Sequence, residues 1–310
     1  MVQESSICYV YLSNVGSSSK PIGLEWNDAL RTWNQPPPRW YTRGWTLQEL
    51  IAPTDVHFYS SDWTPLGTKL ENMRTLSEFT GIDLYALGGE DLRKLTVARR
   101  MSWVAKRKTT VVEDIAYCLL GIFDINMPLL YGEGEKAFIR LQEEIMKISD
   151  DQSIFAWRDD ESLDTYREEY GDSFHQTGLL ASQPAFFKTS GSVAQFQSER
   201  PGRSKSGATN QGIKVEFLMC REACYQSGQV YLAVLDCQLG SIPGVLAGIR
   251  IRQLSPGSQS FARIDTHQLI QFARYDTQNQ IDLRGFDPTE KQDKLVDRKL
   301  RKFLGLCFYF

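Results

Sequence analysis

The sequence predicts an α/β half with a large helical portion over residues 1–157, followed by a β-rich half over residues 158–310. Three observations carry that reading. Near the N-terminus an apolar run, "ICYVYLSNV", and an alternating segment, "VHFYSSDWTPLG", bracket a short helical motif. From Leu70 to Ser149 apolar residues recur at helical spacing. Further on, "IKVEFLM", "QVYLAVLDCQ" and "GVLAGIRIRQL" read as strands separated by Gly, Ser and Pro clusters, the pattern of a sandwich or a barrel-like sheet.

The elements follow in order. "ICYVYLSNV" is a continuous apolar run, which predicts a buried strand. "GLEWNDALRTW" reads as a helix that Pro36, Pro37 and Pro38 stop. "TRGWTLQELIAP" (42–53) is about one and a half helical turns closed by a proline, with Leu47, Leu50 and Ile51 on one face. Glu49 falls outside that face, about 40° from Trp45. "TTVVEDIAYCLLGIF" reads as one helix with Thr109 and Thr110 as N-caps and Glu113 and Asp114 favouring its dipole. "GEGEKAFIRLQEEIMKIS" puts Phe138, Leu141, Ile145 and Ile148 on one stripe. The acidic segment "DDESLDTYREEYGDS" reads as an inter-domain connection, and residues 198–212 as a flexible loop.

Composition excludes several functions. With 42% hydrophobic and 24% charged residues over 310 positions, the sequence reads as a soluble globular protein. A net charge of −3 argues against a nucleic-acid partner. The longest apolar runs, "AYCLLGIF" and "FLGLCFYF", reach eight residues, short of the roughly 20 that cross a bilayer, so no membrane partner is expected. "MVQESSICYVYL" has no basic n-region and is a poor signal peptide, which leaves a cytoplasmic location as the expectation. Six cysteines and three histidines assemble no zinc-ligand spacing; the cysteines read as reduced, packed thiols, and no metal is expected.

Two further patterns have bland readings. "YGEGEKA" matches G-x-G-x-x-A, but Glu133 and Glu135 would face a pyrophosphate, so a helix start fits better than a cofactor loop. "ARRMSWVAKRK" gathers Arg99, Arg100, Lys106, Arg107 and Lys108 around Trp103. Its expected form is a helix that buries Met101, Val104 and the indole and leaves its cations in water. No H-E-x-x-H or G-x-S-x-G pattern is present.

"YTRGWTLQELIAP", "SWVAKRKTTVVEDIAYCLLGIFDINMPLLYGEGEKAFIRLQEEI" and "DQSIFAW" occur in order across roughly residues 7–157, and in this the sequence resembles the fungal heterokaryon-incompatibility (HET) domain proteins. "GLLASQPAFF", "NQGIKVEF" and "YLAVLDC" resemble the β-rich region that often follows that domain. Val111 stands where the family usually carries an arginine after the paired threonines. Family members also begin with a strand and helices upstream of "CYVYLSNV", so the resemblance implies an N-terminally truncated domain. It further implies an effector of self/non-self recognition and programmed cell death, working with a protein partner or by self-association.

The HET domain is distantly similar to the Toll/interleukin-receptor (TIR) domain, which implies a TIR-like α/β fold. In plant TIR domains a strand is followed by S-R-W-C-L-D-E-L, whose glutamate cleaves NAD. "TRGWTLQEL" after "CYVYLS" follows that order and aligns Glu49 with the catalytic glutamate. NAD enters as a candidate substrate and no cofactor is expected. Nicotinamide leaves as a neutral pyridine, so the bond needs no general acid, and one carboxylate beside the ribose can stabilise the oxocarbenium-like state. Trp45 is the candidate pocket wall, and Arg43 the candidate partner of a phosphate oxygen. A NAD glycohydrolase whose pocket is completed by the missing upstream part, a non-enzymatic interaction module and an inactive fragment all remain open on the sequence.

Overall fold

The computed structural model describes residues 7–17, 22, 24, 26–27, 32–33, 37–159, 176–196, 206–210, 212–221, 229–240, 244–277, 280–286 and 301–308. The chain divides into two compact units. The first comprises Met1–Lys94 and Arg100–Phe138, the second Leu95–Arg99 and Ile139–Phe310. An α/β half followed by a β-rich half is the observed order. Of the predicted acidic connection, residues 160–173 lie outside the described residues.

The first unit is built on a three-stranded sheet in the order β1–β4–β5, formed by β1 (Ile7–Tyr11), β4 (Asp55–Tyr59) and β5 (Pro65–Thr68). β1 runs parallel to β4 with Cys8 opposite Val56 and Val10 opposite Phe58, and β5 is antiparallel to β4. The β1–β4 connection carries β2 (Trp26–Asn27), β3 (Thr32–Trp33), a 3-10 turn over Arg39–Thr42 and helix α1 (Thr46–Ile51). Parallel pairing requires such a crossover, because a tight turn can only join antiparallel strands. Helices α2 (Met73–Thr80), α3 (Leu84–Leu87), α4 (Val97–Ser102), α5 (Asp114–Tyr117), α6 (Leu120–Phe123) and α7 (Lys136–Ile148) follow, with α4 and most of α7 crossing into residues of the second unit.

Several sequence expectations are corrected here. β1 is not buried on both faces: Ile7, Tyr9 and Tyr11 are 44%, 64% and 42% exposed, and only Val10 is buried. β1 is the edge of its sheet among the described residues. Its tyrosines tolerate exposure because a phenol has a polar tip. Tyr11 donates to the Ser61 carbonyl at 2.9 Å, and its ring stacks on Trp63 at 4.9 Å. The expected helix over "GLEWNDALRTW" is instead an antiparallel pair of two-residue strands, Trp26 opposite Trp33. A segment this short forms a marginal helix, and aromatic and β-branched residues suit a cross-strand pair.

The expected helix over "TTVVEDIAYCLLGIF" is two, α5 and α6. Its backbone ladder tightens at Leu119, and the Cys118 carbonyl accepts from the Gln48 amide at 2.7 Å instead of from a following helical turn. Thr109 is not an N-cap; its hydroxyl donates to the Val111 carbonyl at 2.6 Å. On α7, Phe138, Leu141 and Ile145 are buried as expected, but Ile148 is 64% exposed where the helix ends. Asp124, in the left-handed region at φ 56°, terminates α6.

The second unit is dominated by strands: β6 (Ala194–Gln195), β7 (Gly207–Thr209), β8 (Gly212–Arg221), β9 (Val230–Gln238), β10 (Val245–Gln253), β11 (Ser260–Ile264), β12 (Ile270–Thr277), β13 (Gln280–Phe286) and β14 (Arg301–Phe308). β8 pairs β9, β9 pairs β10, β10 pairs β11, β11 pairs β14, and β14 returns to β8. The five strands therefore close into a ring, the barrel-like alternative the sequence left open. Closure removes the two exposed edges an open sheet would carry. β10 splits its second edge between β11 and β12, and the β12–β13 hairpin extends from there. Leu232, Val234, Leu246 and Phe272 form a buried cluster on β9, β10 and β12, each such side chain contributing about 1.5–3 kcal/mol of burial. Gly248 is required beside Phe272, because a Cβ there would overlap the ring.

Candidate functional site

The site is built from the turn and helix of "RWYTRGWTLQEL". Thr46, Leu47, Leu50 and Ile51 are buried and fix α1 in place, which leaves Gln48 and Glu49 half-buried on the remaining face. The Trp40 indole N–H donates to Glu49 Oε2 at 3.1 Å. Trp40 is held edge-on against Tyr41 and Phe58, at centroid distances of 5.1 and 5.8 Å. One carboxylate oxygen is thus oriented by a fixed indole. Trp45 precedes the helix by one residue and is 38% exposed, one turn from Glu49. Arg43 is exposed, and its carbonyl accepts from Arg107 Nη1 at 2.9 Å. Among the described residues neither Arg43 nor Trp45 shares a hydrogen bond with Glu49.

Two cations hold the ends of α1. At its start, Arg107 Nη1 donates to the Arg43 carbonyl and to Thr46 Oγ1, both at 2.9 Å, while its Nε reaches the Trp103 carbonyl at 3.3 Å. Burial pushes the Arg107 guanidinium down to about 10, against the opposing pull of Cys118, Tyr41 and Glu49. At the end of the helix, buried Lys69 donates from Nζ to the Leu50 carbonyl at 3.3 Å and to that of Pro53. A cation at a helix C-terminus answers the partial negative charge there. Cys8 faces the same neighbourhood from β1: burial raises its thiol, Glu49 raises it further and Lys69 opposes both.

Sequence reasoning missed Trp40 and Arg107. The expectation that the basic run leaves its cations in water is corrected, since Arg100 and Arg107 are each 7% exposed, although Met101, Val104 and Trp103 are buried as expected. The signal available for Arg107 was its place four residues after the buried Trp103, one turn along the chain. Trp40 lay inside the quoted motif, but nine residues from Glu49 no helical spacing pairs them.

The glycine loop after α6 is occupied by its own protein. Glu113 Oε1 accepts from Gly132 N at 2.7 Å and Gly134 N at 2.9 Å, so the amides a phosphate would need are already bonded. Those two bonds hold the Glu113 carboxyl below its usual range. Among the described residues no cluster of His, Cys, Asp and Glu could hold a metal ion, and no helix is long and apolar enough to cross a membrane. Of the six cysteines, Cys8 is a half-buried free thiol, and Cys118 and Cys237 are buried free thiols.

With this geometry in place, comparison with known proteins gives two partial matches. Residues 136–283 match a domain of unknown function (DUF8212). The chain is similar to vegetative incompatibility protein HET-E-1 of Podospora anserina, with 44% identity over 146 residues, 47% of this chain and 10% of that protein. It therefore spans about a tenth of the length of the curated relative it matches. No solved structure matches.

Proposed function

We propose that this chain acts in fungal heterokaryon incompatibility, as a cytoplasmic effector of programmed cell death whose HET-like, TIR-like region is residues 1–157. The 44% identity to HET-E-1 supports the incompatibility role. Within it, we assign Glu49 to cleavage of NAD, and the observation that carries this assignment is a half-buried carboxylate oriented by the Trp40 indole at 3.1 Å. The bond from C1′ of the ribose to the nicotinamide nitrogen breaks. Nicotinamide leaves with the electron pair, Glu49 stabilises the positive charge developing on the ribose, and water adds at C1′ with loss of a proton. Trp45 walls the nicotinamide side, and Arg43 meets a phosphate oxygen.

NAD consumption by the purified chain, measured beside Glu49→Gln, tests this. Gln keeps an oxygen for the Trp40 indole and removes the charge, so a fall of about 10²–10³-fold in turnover is expected. Absence of turnover in the folded wild-type chain extended by the upstream family segment, or equal turnover in the variant, removes Glu49 from the chemistry. A second reading, a non-enzymatic module that binds a protein partner or a second copy, is favoured by one observation. Tyr9 and Trp63, 64% and 63% exposed, leave large rings in solvent beside the β1 edge.

A further inference from the structure

We infer that the outer face of β1 and β4 docks an extended segment of a protein partner that carries arginines at alternate positions. The inference rests on the second, protein-binding reading above and not on NAD cleavage. Parallel pairing sets Tyr9 beside His57 and Tyr11 beside Tyr59, on the face opposite buried Val10, Val56 and Phe58. The Tyr9 centroid lies 5.8 Å from that of His57 and 6.1 Å from that of Tyr59. Trp63 lies 5.8 Å from Tyr59 and 4.9 Å from Tyr11. Five rings therefore form one continuous surface, on which Tyr9 and Trp63 are the most exposed. The turn that places Trp63 is fixed: its N–H donates to the Ser60 carbonyl at 3.0 Å, and Ser61 N donates to that of Val15 at 2.8 Å. Trp63 sits at φ 62°, a left-handed backbone that a bulky side chain rarely adopts. Such strain persists where surrounding bonds impose it, and here it holds an indole out in solvent.

The charges on this face choose the partner. The outward positions of β1 and β4 hold one carboxylate, Asp55, and no lysine or arginine. Asp55 is half-exposed and bonds His57 Nε2 at 3.0 Å. Lys69, on which Asp55 acts through space, is buried and directs its hydrogen bonds to the Leu50 and Pro53 carbonyls. A nucleic-acid strand could stack on the rings, but its phosphates would meet Asp55 and no cation on these positions. An apolar segment would cover Asp55 without a countercharge. A guanidinium stacks on an aromatic ring and also pairs with a carboxylate. Along β1 the rings of Tyr9 and Tyr11 recur at the strand period of two. An extended segment with arginine at every second residue has the same period and brings one guanidinium to each end of the surface.

Fluorescence anisotropy of a labelled peptide of alternating arginine and serine, titrated with the full chain, tests the proposal. Matched peptides carry lysine or glutamine in place of each arginine. Saturable binding of the arginine peptide is expected, with the lysine peptide about threefold weaker and no binding of the glutamine peptide. Trp63→Gly removes the indole and accepts the left-handed backbone, so it is expected to melt no lower than wild type and to bind about threefold more weakly. Tyr9→Leu keeps apolar area without a π face, and Asp55→Asn keeps an oxygen for His57; each is expected to weaken binding about threefold. No binding to the wild type overturns the proposal. So does equal affinity for the lysine or glutamine peptide, or unchanged affinity in any folded variant. Sedimentation of wild type and Trp63→Gly tests the other occupant. A dimer that the substitution dissociates assigns the face to a second copy, which keeps the protein-binding reading and overturns the arginine-bearing partner.

Discussion

Each unit buries an arginine with its guanidinium on backbone carbonyls, and the two are used differently. Arg107 in the first unit bonds the Arg43 and Trp103 carbonyls and the Thr46 hydroxyl. Arg263 on β11 bonds the Phe155 and Trp157 carbonyls at 2.9 and 2.6 Å and lies 3.8 Å from the Trp157 ring centroid. Burial pushes Arg263 to about 9, and among the described residues no carboxylate offsets it. Arg107 falls only to about 10 because Cys118, Tyr41 and Glu49 act against its burial. Arg263 is therefore a clamp on "SIFAW", stabilised by carbonyl dipoles and an aromatic face. Arg107 is a clamp on the start of α1. Isolated charge is expensive to bury, so each guanidinium is offset by the carbonyls it bonds and, for Arg107, by the Thr46 hydroxyl.

Truncating the two clamps is the largest perturbation this comparison offers. Arg263→Met strands the Phe155 and Trp157 carbonyls, Arg107→Met strands the Trp103 carbonyl and removes a donor from Thr46 Oγ1, and each is expected to lose about 3–5 kcal/mol of stability in urea unfolding. Hydrogen exchange separates them. Arg107→Met is expected to expose the amides of Leu47 and Gln48 at the start of α1, and Arg263→Met that of Ala156, which bonds the Ser153 carbonyl. If both variants loosen the same amides, or lose less than about 1 kcal/mol, the arginines are not local clamps.

These clamps also show how far the sequence could be read. The helix carrying Glu49 was legible, because Leu47, Leu50 and Ile51 repeat at helical spacing and Pro53 stops the run. The C-terminal strands were legible from β-branched and aromatic runs; their closure was not. The ring closes through β11 and β14, which among the described residues pair Ser260 with Cys307 and Phe261 with Phe308 across a long sequence separation. Arg107 read as a solvated cation because local spacing carries no record of the Arg43 carbonyl, 64 residues away. β1 read as buried because a continuous apolar run looks the same in a central strand and in an edge strand whose tyrosines pack on His57, Tyr59 and Trp63. The Trp40–Glu49 bond crosses a 3-10 turn, where neither helical nor strand periodicity applies.

Two glycines sharpen the comparison at smaller magnitude. A Cβ on Gly248 would overlap the fully buried Phe272 ring and lie 3.1 Å from the Ala233 carbonyl oxygen. At Gly44 it would meet Thr109 Cγ2 at 2.5 Å and Cys118 Sγ at 3.3 Å. Thr109 is half-buried and can turn aside, whereas Phe272 is enclosed. Gly248→Ala is expected near the upper end and Gly44→Ala near the lower end of the roughly 1–3 kcal/mol that overpacking costs. Urea midpoints measure both. Adding Phe272→Leu is expected to recover part of the Gly248→Ala loss and none of the Gly44→Ala loss; the reverse order would place the tighter core in the first unit.

The smallest effect comes from the buried thiols, Cys118 in the first unit and Cys237 in the second. Burial pushes Cys118 from 9.0 up to about 12, with Arg107 opposing the rise, and pushes Cys237 well above its ordinary value. Well below pH 9 both thiols are protonated whether the chain is folded or not, and their contribution is fully present. Between pH 9 and about 12 the unfolded chain releases the Cys118 proton first, so the folded state binds more protons and stability falls as pH rises. At pH 10 this amounts to on the order of 1 kcal/mol. Comparing wild type with Cys118→Ala across pH 8–11 is therefore expected to show a shallower alkaline decline in the variant. Repeating the pair in an Arg107→Met background makes the test specific. Without the guanidinium the thiolate loses its opposing charge, the folded thiol titrates higher still, and the difference between Cys118 and Ala extends to higher pH. An unchanged difference in that background would separate Arg107 from the Cys118 titration and leave it as a mechanical clamp alone.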